Sequence, residues 1–72
     1  MHAVVSVPKL RRLRALRQRK MWSLADLAER SGVAENTISR IENGREARYS
    51  TARKLAEALG IEPYELVGDP DR

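Results

Sequence analysis

A chain of 72 residues with no cysteine and one histidine has room for one small domain, and none for a disulfide framework or a thiolate metal site. A histidine-based catalytic centre would have only His2 to use, and no apolar run approaches the roughly 20 residues a membrane span needs. The net charge is +4, but residues 1–25 hold Lys9, Arg11, Arg12, Arg14, Arg17, Arg19 and Lys20 and no acid, while every Asp and Glu lies from Asp26 onward. A basic stripe of this kind attracts polyanions; its bland alternative is a solvated helix face.

Residues 1–8 are apolar and β-branched, unlike the rest. The run Ala3–Val7 reads as an arm, either flexible or paired with another chain, because one strand has nothing here to pair with. Pro8 suits the first turn of a helix. From Lys9 the period is helical: Leu10, Leu13 and Leu16 recur every three residues, and Trp22 closes the segment. Ser23 is a good N-cap, with Asp26 three residues on in a capping-box pattern, so a second helix is expected over 24–30 with Leu24, Leu27 and Ala28 inward. Ser31-Gly32 stops it. A third helix is expected over 35–42, with Ile38 and Ile41 inward and Asn43-Gly44 as its stop. After a polar loop, Ser50 is read as the cap of a fourth helix carrying Ala52, Leu55, Ala56 and Leu59, ended by Gly60. Pro63 opens a fifth with Tyr64, Leu66 and Val67, and residues 68–72 read as a disordered tail. The domain proper is therefore 9–67, and the fold class is all-α.

The segment 24–41 has the spacing of a helix-turn-helix. Ala28 permits close approach of two helices, and Gly32 supplies the turn conformation. Leu27, Val33, Ile38 and Ile41 lock the second of them inward. Its other face carries Glu35, Asn36, Ser39, Arg40 and Asn43, residue types that pair with base edges. An ordinary amphipathic helix would also leave such a face polar. The turn, the flanking helices and the basic charge favour DNA.

The pieces SLADLAERSGV, TISRIENG and KLAEALGI together resemble the helix-turn-helix domain of the phage Cro and repressor family, also called the xenobiotic-response-element family. The likeness runs from about Leu10 to Val67. It implies a compact, lambda-repressor-like bundle of five helices whose third enters the major groove. Base reading would fall on Glu35, Asn36, Ser39 and Arg40. Phosphate contacts would fall on Ser23, Thr37, Asn43, Gly44, Arg45 and Arg48. An ion pair between Arg17 and Glu42 would orient the third helix, unless it is only a surface salt bridge. A dimer contact would use Pro63, Tyr64 and Val67, with the arm at Ala3–Val7 as a rival interface. Three positions depart from the family pattern: Leu24 stands where a phosphate-touching Gln is common, Ala34 where a Ser cap is common, and Tyr49 where a Pro is usual. Arg11, Arg12 and Arg14 are expected to face away from the groove and to affect association rate more than specificity.

The resulting expectation is a cytoplasmic, non-enzymatic regulator of transcription. It would be a Cro-like repressor acting by promoter occupancy, with double-stranded DNA as partner, a homodimer on DNA, and no cofactor, metal, membrane or small-molecule ligand. An antitoxin-like or anti-repressor module on the same fold is the alternative, since fold does not fix function. A basic amphipathic helix at Lys9–Lys20 lying on a membrane is a third reading. It conflicts with the need for Leu10, Leu13 and Leu16 in the core.

Overall fold

The computed structural model describes residues 8–68. The expectations for the arm at 1–7 and the tail at 69–72 lie outside these residues. Five helices follow in order: α1 (Leu13–Arg19), α2 (Leu24–Ser31), α3 (Glu35–Glu42), α4 (Tyr49–Leu59) and α5 (Tyr64–Val67). α2 packs on α3 and α4, while α1 lies against α3 and α5. The core collects Leu10, Leu13 and Leu16 from the first segment, Leu27 from α2, Ile38 and Ile41 from α3, and Ala52, Leu55, Ala56 and Leu59 from α4. Val33, Ala47 and Leu66 complete it. Apart from Ala47, which the sequence reading sets in a polar loop, these are apolar positions that reading singles out, with Leu24 and Ala28 only partly buried at the edge of the core.

Local chemistry sets the helix ends. The Ser23 hydroxyl accepts from the Asp26 N–H at 3.0 Å, and the Asp26 carboxylate accepts from the Ser23 N–H at 2.9 Å. This reciprocal cap satisfies two amides that α2 would otherwise leave open. Gly32 ends α2 at φ 76°, a left-handed conformation that costs other L-residues roughly 1–2 kcal/mol. Its N–H reaches the Ala28 carbonyl at 2.9 Å. Met21 holds a similar left-handed φ of 61° between α1 and α2, without glycine's freedom.

Two helix starts differ from the sequence reading. Pro8 is not in a first helical turn. Its carbonyl accepts from the Ala47 N–H at 2.8 Å, and Lys9 forms an antiparallel bridge with Glu46. That pairing holds the segment extended, so α1 begins only at Leu13 after a turn closed by the Leu13 N–H and the Leu10 carbonyl. Ser50 does not cap α4. The helix starts two residues earlier than that cap would set it, at Tyr49, with Arg48 in the cap position and no side-chain cap bond.

Candidate nucleic-acid interface

The outward face of α3 is built from its inward one. With successive residues about 100° apart, the buried Ile38 and Ile41 fix the direction of the core. Asn36 and Asn43 then project almost opposite it, and Ser39 and Arg40 lie about 50° to either side. Glu35 and Thr37 stand on the two flanks, about 90° and 110° from the outward direction. Asn36, Arg40, Glu35 and Thr37 are exposed, and Ser39 is half-buried. The structure therefore gathers Asn36, Ser39 and Arg40 into one outward group and sets Glu35 at its rim. The Ala34 cap contributes no side-chain bond, leaving the amides of the first turn open, as any uncapped helix start does.

An ion pair at the other end fixes the helix in place. The Arg17 guanidinium grips the Glu42 carboxylate with Nε at 2.7 Å and Nη2 at 2.9 Å, and its Nη1 donates to the Trp22 carbonyl at 2.7 Å. The Arg17 side chain is 11 % exposed and that of Glu42 3 %, so this is not a solvated surface pair. Burial pushes the Glu42 carboxyl up, but the hydrogen bonds and charges of Arg17 and Arg14 outweigh it and hold its pKa below the ordinary value. The Glu42 hydrogen bond in turn raises the pKa of Arg17 against the opposing effect of burial. Three residues of α1, α3 and the α1–α2 turn are thus tied at one point. The Trp22 ring also meets two cations, Lys20 Nζ at 5.5 Å from its centroid and the Arg30 guanidinium at 4.4 Å.

Arg14 departs from expectation. Its Nε donates to Glu42 at 3.2 Å and its Nη2 to the Asn43 side-chain oxygen at 3.2 Å. It therefore reaches the C-terminal end of α3 instead of turning away. Arg11 borders a cleft on the same side, next to Asn43 and Gly44. Arg12 alone goes elsewhere, to the Glu65 carbonyl on α5. The signal for Arg14 was available: it lies three residues before Arg17, on the same side of α1.

The residues expected to hold phosphate divide into two groups. Arg45 and Arg48 are exposed, with no side-chain hydrogen bond among the described residues. The loop backbone is committed: the N–H groups of Asn43, Gly44 and Arg45 all point back to carbonyls of Ser39, Arg40 and Ile41. The Asn43 amide nitrogen donates to the Ser39 carbonyl at 2.9 Å. Asn43 and Gly44 thus serve first as the C-terminal cap of α3. Ser23 uses its hydroxyl oxygen as the α2 cap acceptor, which leaves its proton to donate. Thr37 is exposed in the first turn of α3.

Pro63, Tyr64 and Val67 share an apolar hollow of about 380 Å³ with Pro8, Tyr49 and Ala52. Tyr64 is 76 % exposed and Tyr49 53 %, so the position usually held by proline supplies part of this hollow and does not enter the core. No group of three potential metal ligands occurs among the described residues, and no described helix is long and apolar enough to cross a membrane.

A family model described as helix-turn-helix matches residues 13–66, and the chain belongs to that family, of the Cro and repressor type. It is 51 % identical over 55 residues to the transcriptional repressor RghR of Bacillus subtilis, a match covering 74 % of this chain and 40 % of that protein. It is 44 % identical over 65 residues to Rv0023 of Mycobacterium tuberculosis, an uncharacterized transcriptional regulator, covering 82 % of this chain and 25 % of that one. The chain thus spans a quarter to two fifths of these curated relatives. Among solved structures it is similar to the biofilm regulator SinR in complex with DNA, with a TM-score of 0.72, 29 % identity, and coverage of 78 % of this chain and 92 % of SinR's.

Proposed function

We propose that this chain binds duplex DNA in a sequence-specific manner by laying α3 in the major groove, and that it acts as a transcriptional repressor by occupying promoter DNA. The observation that carries the reading is the outward group of Asn36, Ser39 and Arg40 on a helix whose C-terminal end is anchored by the Arg17–Glu42 pair. Membership in a family of transcriptional regulators and the likeness to SinR bound to DNA support it.

In this reading Arg40 pairs with guanine and Asn36 with adenine through two hydrogen bonds each, Ser39 adds a single bond, and Glu35 accepts from cytosine at the edge of the helix. Arg45 and Arg48 hold phosphates, together with Ser23, Thr37, Asn43 and open first-turn amides. One such helix reads about four or five base pairs, too few to select one site in a genome. Two copies related by a dyad would set their α3 helices roughly 34–36 Å apart, in successive major grooves. The exposed hollow at Pro63, Tyr64 and Val67 is the surface offered for that contact.

Selection of bound sequences from random duplex DNA, followed by salt titration on the winner, tests the proposal. A selected motif is expected, with log K falling against log salt at a slope of about −4 to −5 if four to six phosphates are neutralised. Arg40→Ala should then cost about 1–3 kcal/mol on the selected site and relax one base pair, whereas Arg45→Ala weakens all sequences alike. Equal weakening of selected and random DNA by Arg40→Ala would reassign Arg40 to phosphate. A slope near zero would remove DNA as the partner.

A further inference from the structure

The pairing of Pro8 and Lys9 with Glu46 and Ala47 ties the segment before α1 to the loop after α3. Along this segment Lys9 and Arg11 are exposed while Leu10, between them, is 2 % exposed and fixed in the core. The two cations are thus presented outward from an anchored backbone. They border a cleft of about 500 Å³ whose far side is the C-terminal end of α3, with Glu42, Asn43 and Gly44. Arg14 reaches into the same corner, its side chain 51 % exposed. The Glu42 carboxylate is taken up by Arg17 and Arg14. Glu46, exposed and opposite Lys9, is the other acid on this edge. Lys9, Arg11 and Arg14, with Arg17 behind Glu42, thus stand against two carboxylates, and this edge is positive.

We infer that this cleft is a second backbone clamp, in which Lys9, Arg11 and Arg14 hold a phosphodiester of the duplex beyond the C-terminal end of α3. It rests on the reading that α3 enters the major groove. Asn43 and Gly44, which form one wall of the clamp, follow α3's base-reading residues in the chain and directly precede Arg45. It meets the sugar–phosphate backbone outside the base pairs that α3 reads and carries no sequence information of its own. An N-terminal segment fixed by backbone pairing makes this a docked contact, in contrast to a diffuse field that only steers encounter.

The deciding variant is Lys9→Gln/Arg11→Gln, because both side chains are exposed and neither takes part in the Arg17–Glu42 anchor. Its melting temperature should match that of the parent chain. On the selected duplex, the salt slope should shrink in magnitude by about 1–2, at roughly 0.9 per phosphate. Affinity should fall about 10- to 100-fold for selected and random duplex alike, mainly through faster dissociation. Ethylation interference should lose one or two phosphates at the outer edge of the footprint, with base preference intact. An unchanged slope and footprint overturn the clamp, as does an effect confined to the association rate. In either case, parent binding and the Arg40→Ala specificity change would still stand, so the α3 reading survives. Absence of duplex binding by the parent chain overturns both.

Discussion

Glu42→Gln tests how firmly α3 is held. The replacement keeps the shape of the side chain, one acceptor oxygen and its place in the fold. It removes the charge and turns an amide group toward one of the two Arg17 donors now bonded at 2.7 and 2.9 Å. One charge-assisted bond lost in a nearly buried site is worth about 1.5–3 kcal/mol net. The exposed Arg14 contact at 3.2 Å adds up to about 1 kcal/mol. The sum is about 1.5–4 kcal/mol, from a domain whose whole stability is about 4–11 kcal/mol at this length. At about 4–8 °C per kcal/mol for so small a domain, the melting midpoint followed by circular dichroism should drop by at least about 6 °C. Urea unfolding should show the same loss at unchanged m. A drop under about 4 °C would give the pair no more than the value of an exposed one, and the claim that it anchors α3 would be wrong.

Three further outcomes are expected. Glu42 and Asp26 both titrate below their ordinary values in the folded chain, Asp26 because the Ser23 backbone N–H, then the Ser23 side chain, favours its ionised form. Folded values below the unfolded 4.5 and 3.8 mean that the stabilisation is complete above about pH 5 and drains as the pH falls through the lower folded values. Thermal melts from pH 6 to pH 2 should show that loss, and Glu42→Gln should flatten its Glu42 part; an equally steep acid limb in the variant would refute the assignment. Met21→Gly, at an 89 % exposed residue with φ 61°, relieves about 1–2 kcal/mol of left-handed strain against about 0.5–1 kcal/mol of added unfolded-chain entropy. The midpoint should hold or rise by a few degrees, and a clear fall would show that the Met21 side chain is needed. Tyr64→Glu should leave the fold intact and abolish two-chain occupancy of a selected duplex in sedimentation; unchanged stoichiometry would move the dimer contact elsewhere.

What could be read from the sequence was what local chemistry decides. The bounds of α3 and the capping box of α2 follow from neighbours three or four residues apart, such as Ser23 with Asp26 or Ile38 with Ile41. The core followed for the same reason. The late start of α1 was hidden because its cause is the Pro8–Ala47 hydrogen bond, a contact across about 39 positions that no periodicity encodes. The start of α4 was misplaced because a serine that can cap is only a preference, and the loop geometry put Arg48 there instead. At the candidate interface the Arg17–Glu42 pair came from family likeness, not spacing. Arg14 escaped a reading that took the charge stripe as a count of cations, although its place three residues before Arg17 sets it on the same side of α1.

The hydrogen bond from the Arg12 N–H to the Leu66 carbonyl has a consequence for synthesis. α1 is made first, yet its partners are Glu42 on α3 and Leu66 on α5. At about 5–20 residues per second, the 54 positions between Arg12 and Leu66 take roughly 3–11 s to translate. Helical domains of this kind can fold in microseconds to milliseconds, so the ribosome sets the pace. During that interval the core that Leu10, Leu13 and Leu16 enter is incomplete, because Leu66 belongs to it. Nascent-chain force profiling should therefore detect a late, single pulling event once Leu66 has cleared the exit tunnel.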